Sequence, residues 1–191
     1  MFSNIRLFKK SKSFFIKAMK DSTLYFAKWK NEKKITHCIK KNKIDGIILS
    51  GSDYRIKNIK KRATLPSIIF ECKIPILGIC YGYQYLVNIF GKLNYIKTFP
   101  NDCNRIYTKM LKIDKPFTNS KSKYFFIHHD YIVKIPKQWN SVIKYKSIIY
   151  MAYNKRNKYI GVQFHPERLK KTRNVFFTSW LKYIRNNALK N

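Results

Sequence analysis

Apolar residues fall into short runs along this chain, separated by longer lysine-rich segments, and the runs differ in period. Asp45-Gly46-Ile47-Ile48-Leu49-Ser50-Gly51 and Ile74–Ile79 are continuous apolar stretches ending in turns, the pattern of strands buried on both faces. Tyr159–Phe164 predicts a third such strand. Helices are predicted over Glu32–Lys41, over Tyr83–Phe90 with Gly91 as its stop, and over Asn174–Asn187. Nearer the start, the pattern predicts a weak strand at Asn4–Phe8, a helix through Ser13–Lys20 and a strand at Thr23–Trp29. Residues 93–150 read as several antiparallel strands and loops, including Tyr124–Ile127 and Ile148–Tyr153. Buried strands alternating with helical segments predict an α/β domain built on a mainly parallel sheet, with a small antiparallel extension. No repeat, Pro/Gly-rich linker or low-complexity tail divides the 191 residues, so one domain over 1–191 is expected.

In open α/β sheets, functional residues gather beyond the carboxyl ends of the strands. Ser50-Gly51, Cys80 and His165 all stand at such ends. Gly78-Ile79-Cys80-Tyr81-Gly82 has the Gly-x-Cys-x-Gly form of a nucleophile elbow, with small residues two away on each side of the cysteine. That turn would push the sulfur out at a helix N-terminus, where the helix dipole favours a thiolate. His165 is followed two residues on by Glu167, with Pro166 stiffening the turn between them. A thiol, a base and a carboxylate to orient the base are the parts of an activated nucleophile, so the candidate catalytic residues are Cys80, His165 and Glu167. The backbone N–H groups of Gly51 and Tyr81 are candidates for an oxyanion hole. Gln84, one turn along the elbow helix, is placed to reach a substrate. His128-His129-Asp130 reads as a loop shaping the pocket wall, with a metal fragment or a second base as alternatives.

Composition changes this picture little. The net charge of +32 comes from 41 basic residues, of which 8 are Arg and 33 Lys. Nucleic-acid readers favour Arg for bidentate contacts, and the lysines are spread along the whole chain, so nucleic acid is not the expected partner. Cys38, Cys72, Cys80 and Cys103 show no CxxC pair and no metal-ligand spacing. No metal and no cofactor are therefore expected, and the cysteines other than Cys80 read as packing residues in a reduced, cytoplasmic setting. No stretch reaches the roughly 18 apolar residues needed to span a membrane. Met1–Lys20 is basic and lacks acidic residues, like an organellar presequence, but with only 9 Asp and Glu in the chain this carries little weight.

Three segments in order resemble the class I glutamine amidotransferases. Gly46–Gly51 is similar to that family's oxyanion strand, Leu77–Gln84 to its nucleophile elbow, and Gly161–Glu167 to its His/Glu segment. Tyr81 after the cysteine, and His128-x-Asp130, are most similar to the glutaminase branch found in GMP synthetase. The resemblance implies a flavodoxin-like three-layer fold and hydrolysis of the glutamine side-chain amide through a γ-glutamyl thioester on Cys80. It also implies that Gly51 and Tyr81 hold the oxyanion, that Gln84 contacts the substrate, and that the backbone near His129 and Asp130 binds its amino-acid end. No synthetase domain or P-loop accompanies these motifs, so the resemblance implies a synthetase partner chain that accepts the ammonia. Some positions depart from the pattern: Ser52 and Asp53 follow Gly51, His129 replaces a glycine, Lys92 follows Gly91, and Lys97–Lys109 lacks the expected acidic segment. A Gly-Ser turn and a His-His pair resemble instead the γ-glutamyl hydrolases, which makes a free-standing hydrolase of γ-glutamyl amides the alternative. A non-catalytic basic binding protein on the same scaffold is a further alternative.

Overall fold

The computed structural model describes residues 5–58, 60, 62–100, 105–113 and 120–188. Helices α1 (Ile5–Ala18) and α2 (Glu32–Lys41) precede strand β1 (Ile47–Leu49), the short α3 (Ile68–Glu71), β2 (Ile76–Ile79) and α4 (Tyr81–Phe90). Then come β3 (Ile96–Thr98), β4 (Arg105–Ile113), β5 (Ser120–His128), β6 (Asp130–Ile132), β7 (Asn140–Tyr145), β8 (Ile148–Asn154), β9 (Tyr159–Val162) and α5 (Lys170–Ala188). The central sheet has five strands in the order β1-β2-β9-β8-β7. β1, β2 and β9 run parallel, while β8 and β7 continue the sheet antiparallel. The pairs β3–β6 and β4–β5 form small antiparallel sheets beside it. This is the expected α/β architecture with its antiparallel extension.

Each buried strand supplies both faces of the sheet, as its continuous apolar run requires. Leu77, Ile79, Ile160 and Val162 face a cluster with Phe15, Phe176, Phe177 and Trp180 of α1 and α5. Ile76 and Tyr159 face the other cluster, with Ile35 of α2, Ile69 of α3 and Tyr83, Leu86 and Val87 of α4. On that second face Gly161 stands where a side chain would occupy the space of the Tyr83 ring. The glycine therefore sets how closely α4 lies on the sheet.

Two expectations at the start of the chain are corrected. Asn4 lies outside the described residues, but Ile5–Phe8 belongs to helix α1, not to a strand. Phe15 and Met19, four apart on one face, are both buried, and the Phe15 ring meets Phe177 edge-on at 5.7 Å. Packing on α5 thus rewards the helical period. Residues 23–28 form no strand. They keep an alternation of exposure that resembles one, but among the described residues no ladder pairs with them; the segment is anchored instead by Trp29, whose ring meets Tyr81 and Tyr85 at 5.0 and 5.4 Å. Among the described residues no helix is long and apolar enough to cross a membrane.

Candidate active site

Because β1, β2 and β9 are parallel, their carboxyl ends open on one edge of the sheet, and Gly51, Cys80 and His165 follow those ends. Cys80 joins β2 to α4 with φ 52° and ψ −104°, a conformation costly for any residue with a side chain. The strain is held from both sides: the Cys80 N–H donates to Val162 O at 2.7 Å, and Cys80 O accepts from Gln84 N at 3.0 Å. The elbow also needs room. A Cβ on Gly82 would collide with the backbone of Leu49, and one on Gly78 would lie 2.7 Å from the Tyr83 nitrogen. The Cys80 side chain makes no capping bond to α4, so its sulfur stays at the helix N-terminus.

Across the opening, His165 and Glu167 are buried, and the imidazole Nδ1 lies 2.8 Å from Glu167 Oε1. A carboxylate accepts only, so Nδ1 carries the hydrogen and Nε2 is the nitrogen left for chemistry. Burial works against the imidazolium, but the charges of Glu167 and of the Cys80 sulfur outweigh it and raise the His165 pKa above its ordinary value. His165 is positioned by its own N–H, which donates to Phe125 O at 2.7 Å. Gly51 lies directly against the base: a Cβ there would come within 2.6 Å of His165 Cε1. Tyr81 offers only its backbone, since its ring packs into the core and its phenol oxygen accepts from the Ala63 N–H at 2.9 Å.

Gln84 is buried, and its Nε2 donates to Asp130 O at 2.8 Å. The side chain thereby ties the elbow helix to the junction of β5 and β6, where the expected loop at His128–Asp130 shrinks to the single residue His129 between two strands. At that junction His129 Nδ1 lies 3.1 Å from Asp130 Oδ1, which also accepts from Thr98 Oγ1 at 2.7 Å. His128 Nδ1 donates to Asp130 O at 3.0 Å, and its Nε2 accepts from the Tyr107 hydroxyl at 3.1 Å.

Two neighbours of the sulfur were not anticipated. Gln163 is fully buried and donates from Nε2 to Cys80 Sγ at 3.6 Å. Its position two residues before His165, where alternate residues of an extended segment share a face, is the signal that could have found it. Tyr107 on β4 caps His128, the pKa of its own phenol is raised by burial and, last among the causes, by the Cys80 charge, and it sits in a stretch whose sequence shows no motif.

Burial dominates at His128 and pushes its pKa down to about 4, so it stays neutral at pH 7. Above the ordinary value near 6.5 neither the folded nor the unfolded chain carries that proton; between 6.5 and 4 only the unfolded chain does. Stability should therefore fall as pH drops through that window, by up to about 3 kcal/mol from this residue. Denaturant unfolding at pH 7 and pH 4.5 should show a smaller loss in His128→Asn than in the wild type; equal losses would mean His128 does not titrate this way.

Residues 9–182 match the family model for class-I glutamine amidotransferases. The chain is 36% identical over 163 residues to the glutamine-hydrolysing GMP synthase of Wigglesworthia glossinidia brevipalpis, covering 78% of this chain and 30% of that protein. It is 39% identical over 136 residues to the GMP synthase of Borreliella burgdorferi strain N40, covering 68% of this chain and 25% of that protein. The chain thus spans less than a third of the length of these relatives. In fold it is similar to a GMP synthase subunit protein from Thermoplasma acidophilum, described as putative in its crystal structure, with TM-score 0.67, 16% identity, and coverage of 93% of this chain and 89% of that one. The chain belongs to the class-I glutamine amidotransferase family, the cysteine-dependent glutaminases.

Proposed function

We propose that this chain hydrolyses the side-chain amide of L-glutamine at Cys80 and supplies the ammonia to a synthetase partner of the GMP synthase type. The observation that carries the reading is the pairing of a strained cysteine at a helix N-terminus with a buried His165–Glu167 dyad at 2.8 Å. In this reading the Cys80 thiolate attacks the amide carbon, and the N–H groups of Gly51 and Tyr81 stabilise the oxyanion. His165 protonates the departing nitrogen, the C–N bond breaks, and ammonia leaves behind a γ-glutamyl thioester. Water then gives a proton to His165 and adds to the thioester carbon; the C–S bond breaks, releasing glutamate and restoring the thiolate–imidazolium pair. Glu167 keeps the imidazole in its working tautomer, and Gln163 steadies the sulfur. The buried β5–β6 junction at His129 and Asp130, tied down by Gln84, forms the wall for the amino-acid end of the substrate. The GMP synthase relatives support an ammonia-accepting partner of that type.

The test is glutamate release from L-glutamine against a panel of γ-glutamyl amides. Release from free glutamine supports the glutaminase reading, whereas release from γ-glutamyl conjugates alone would replace it with a hydrolase. The pH profile adds a second check. Glu167→Gln removes the charge that raises the His165 pKa, so burial should lower it. The alkaline limb of kcat should then move down by roughly one to three pH units. An unmoved limb would contradict the role given to Glu167.

A further inference from the structure

We propose that the outward face of the β4–β5 hairpin is the docking surface for the synthetase partner, and that the partner meets it with an apolar patch rimmed by acidic residues. The proposal rests on the partner reading above. The hairpin pairs Arg105–Ile113 with Ser120–His128 in an unbroken antiparallel register. Successive residues of a strand point to opposite faces. Tyr107, Leu111, Ile113, Tyr124 and Phe126 therefore share one face, which packs against the core. The opposite face carries Ile106 paired with Ile127, Thr108 with Phe125, and Met110 with Lys123. Ile106 is 65% exposed and Met110 50% exposed, with Phe125 and Ile127 half-buried beside them. Single exposed aliphatic residues are ordinary, but a contiguous group on an outward sheet face marks an interaction site.

Charge says what kind of partner fits. Lys112, Lys121 and Lys123 are exposed at one end of this face, and neither strand contains an acidic residue. A second copy would bring the same lysines to the contact on a chain of net charge +32, and like charges across an interface are costly. A nucleic acid would meet mainly aliphatic side chains at the centre, where stacking on a base needs aromatic faces. An acidic-rimmed apolar protein surface satisfies both parts of the face.

Position supplies the second argument. β5 also holds the reacting groups: Phe125 O accepts the His165 N–H at 2.7 Å, and Ile127 O lies 3.5 Å from Cys80 Sγ. Arg168, next to Glu167, lies over the Phe125 ring at 5.8 Å. A partner seated on this face would therefore sit beside the mouth of the site and press on the strand that positions nucleophile and base.

The test measures binding between the full chain and the ATP-pyrophosphatase chain of GMP synthase from the same organism, each purified separately. Ile106→Asp combined with Met110→Asp should weaken the complex by roughly 30-fold or more, as loss of central interface residues does. Its hydrolysis of glutamine in the absence of partner should match the wild type. Replacing Lys121 and Lys123 by Glu should slow association and flatten its salt dependence. A wild-type complex whose affinity is indifferent to both variants would overturn the surface assignment alone. Failure of the wild type to bind that chain, with glutamine still hydrolysed, would overturn the partner reading and the docking site with it. Self-association, or RNA binding, that is abolished by Ile106→Asp and Met110→Asp would assign the face to another occupant and overturn the proposal.

Discussion

Cys80→Ala is expected to reduce glutamate release from glutamine by at least about 10⁴-fold, because removing the nucleophile of a concerted triad costs nearly all of its rate advantage. The fold should survive. Cys80 is buried, its side chain caps nothing, and alanine fits within the same space. The elbow is held by backbone bonds to Val162 and Gln84 that alanine keeps. Unfolding curves that overlay the wild type, together with lost turnover, would place the effect in the chemistry. Activity near wild type would mean that another residue attacks the amide.

Gly51→Ala should be the next most damaging change, although it adds a single methyl. Its Cβ would lie 2.6 Å from His165 Cε1, closer than any relaxed contact allows. Either the imidazole rotates away from Glu167 or the loop carrying the Gly51 N–H retreats from the oxyanion. Loss of one such donor costs roughly 10²–10³ in rate, and a displaced base adds to it. The change should appear mainly in kcat, with KM moving little, since neither group is asked to bind the ground state strongly. A folded Gly51→Ala protein with unchanged kcat would remove Gly51 from the account.

The candidate site was legible wherever its chemistry depends on neighbours in sequence. An elbow needs glycines two residues either side of the nucleophile, and an oriented base needs its carboxylate close by, so Gly78–Gly82 and His165–Glu167 announce themselves locally. The parallel core was legible for the same reason, since buried strands must be apolar throughout. Contacts set by strand register were not. Tyr107 meets His128 only because β4 and β5 pair as they do, and nothing near Tyr107 in sequence marks it. Lys109 misleads in the same region: it shares the core-side face of β4 with Leu111 and Ile113 and lays its ammonium over the half-exposed Tyr145 ring at 3.2 Å. At the start of the chain, the apolar pattern fitted a strand at Asn4–Phe8 and another at Thr23–Trp29. The choice against strands came from outside those segments, from α5 as a packing surface for α1 and from the lack of a ladder beside 23–28 among the described residues. Gln84 shows a further limit. Its place on the elbow helix could be read, but its amide is committed to the Asp130 carbonyl, a contact 46 residues away.

The central claim is a covalent γ-glutamyl intermediate on one particular sulfur. Acid-quenching the enzyme during steady turnover of L-glutamine, followed by peptide mass mapping, tests it most directly. The account predicts a γ-glutamyl thioester on the peptide containing Cys80 and none on those containing Cys38, Cys72 or Cys103. Adduct on any other residue, or rapid turnover that leaves Cys80 unmodified under every quench, would contradict it.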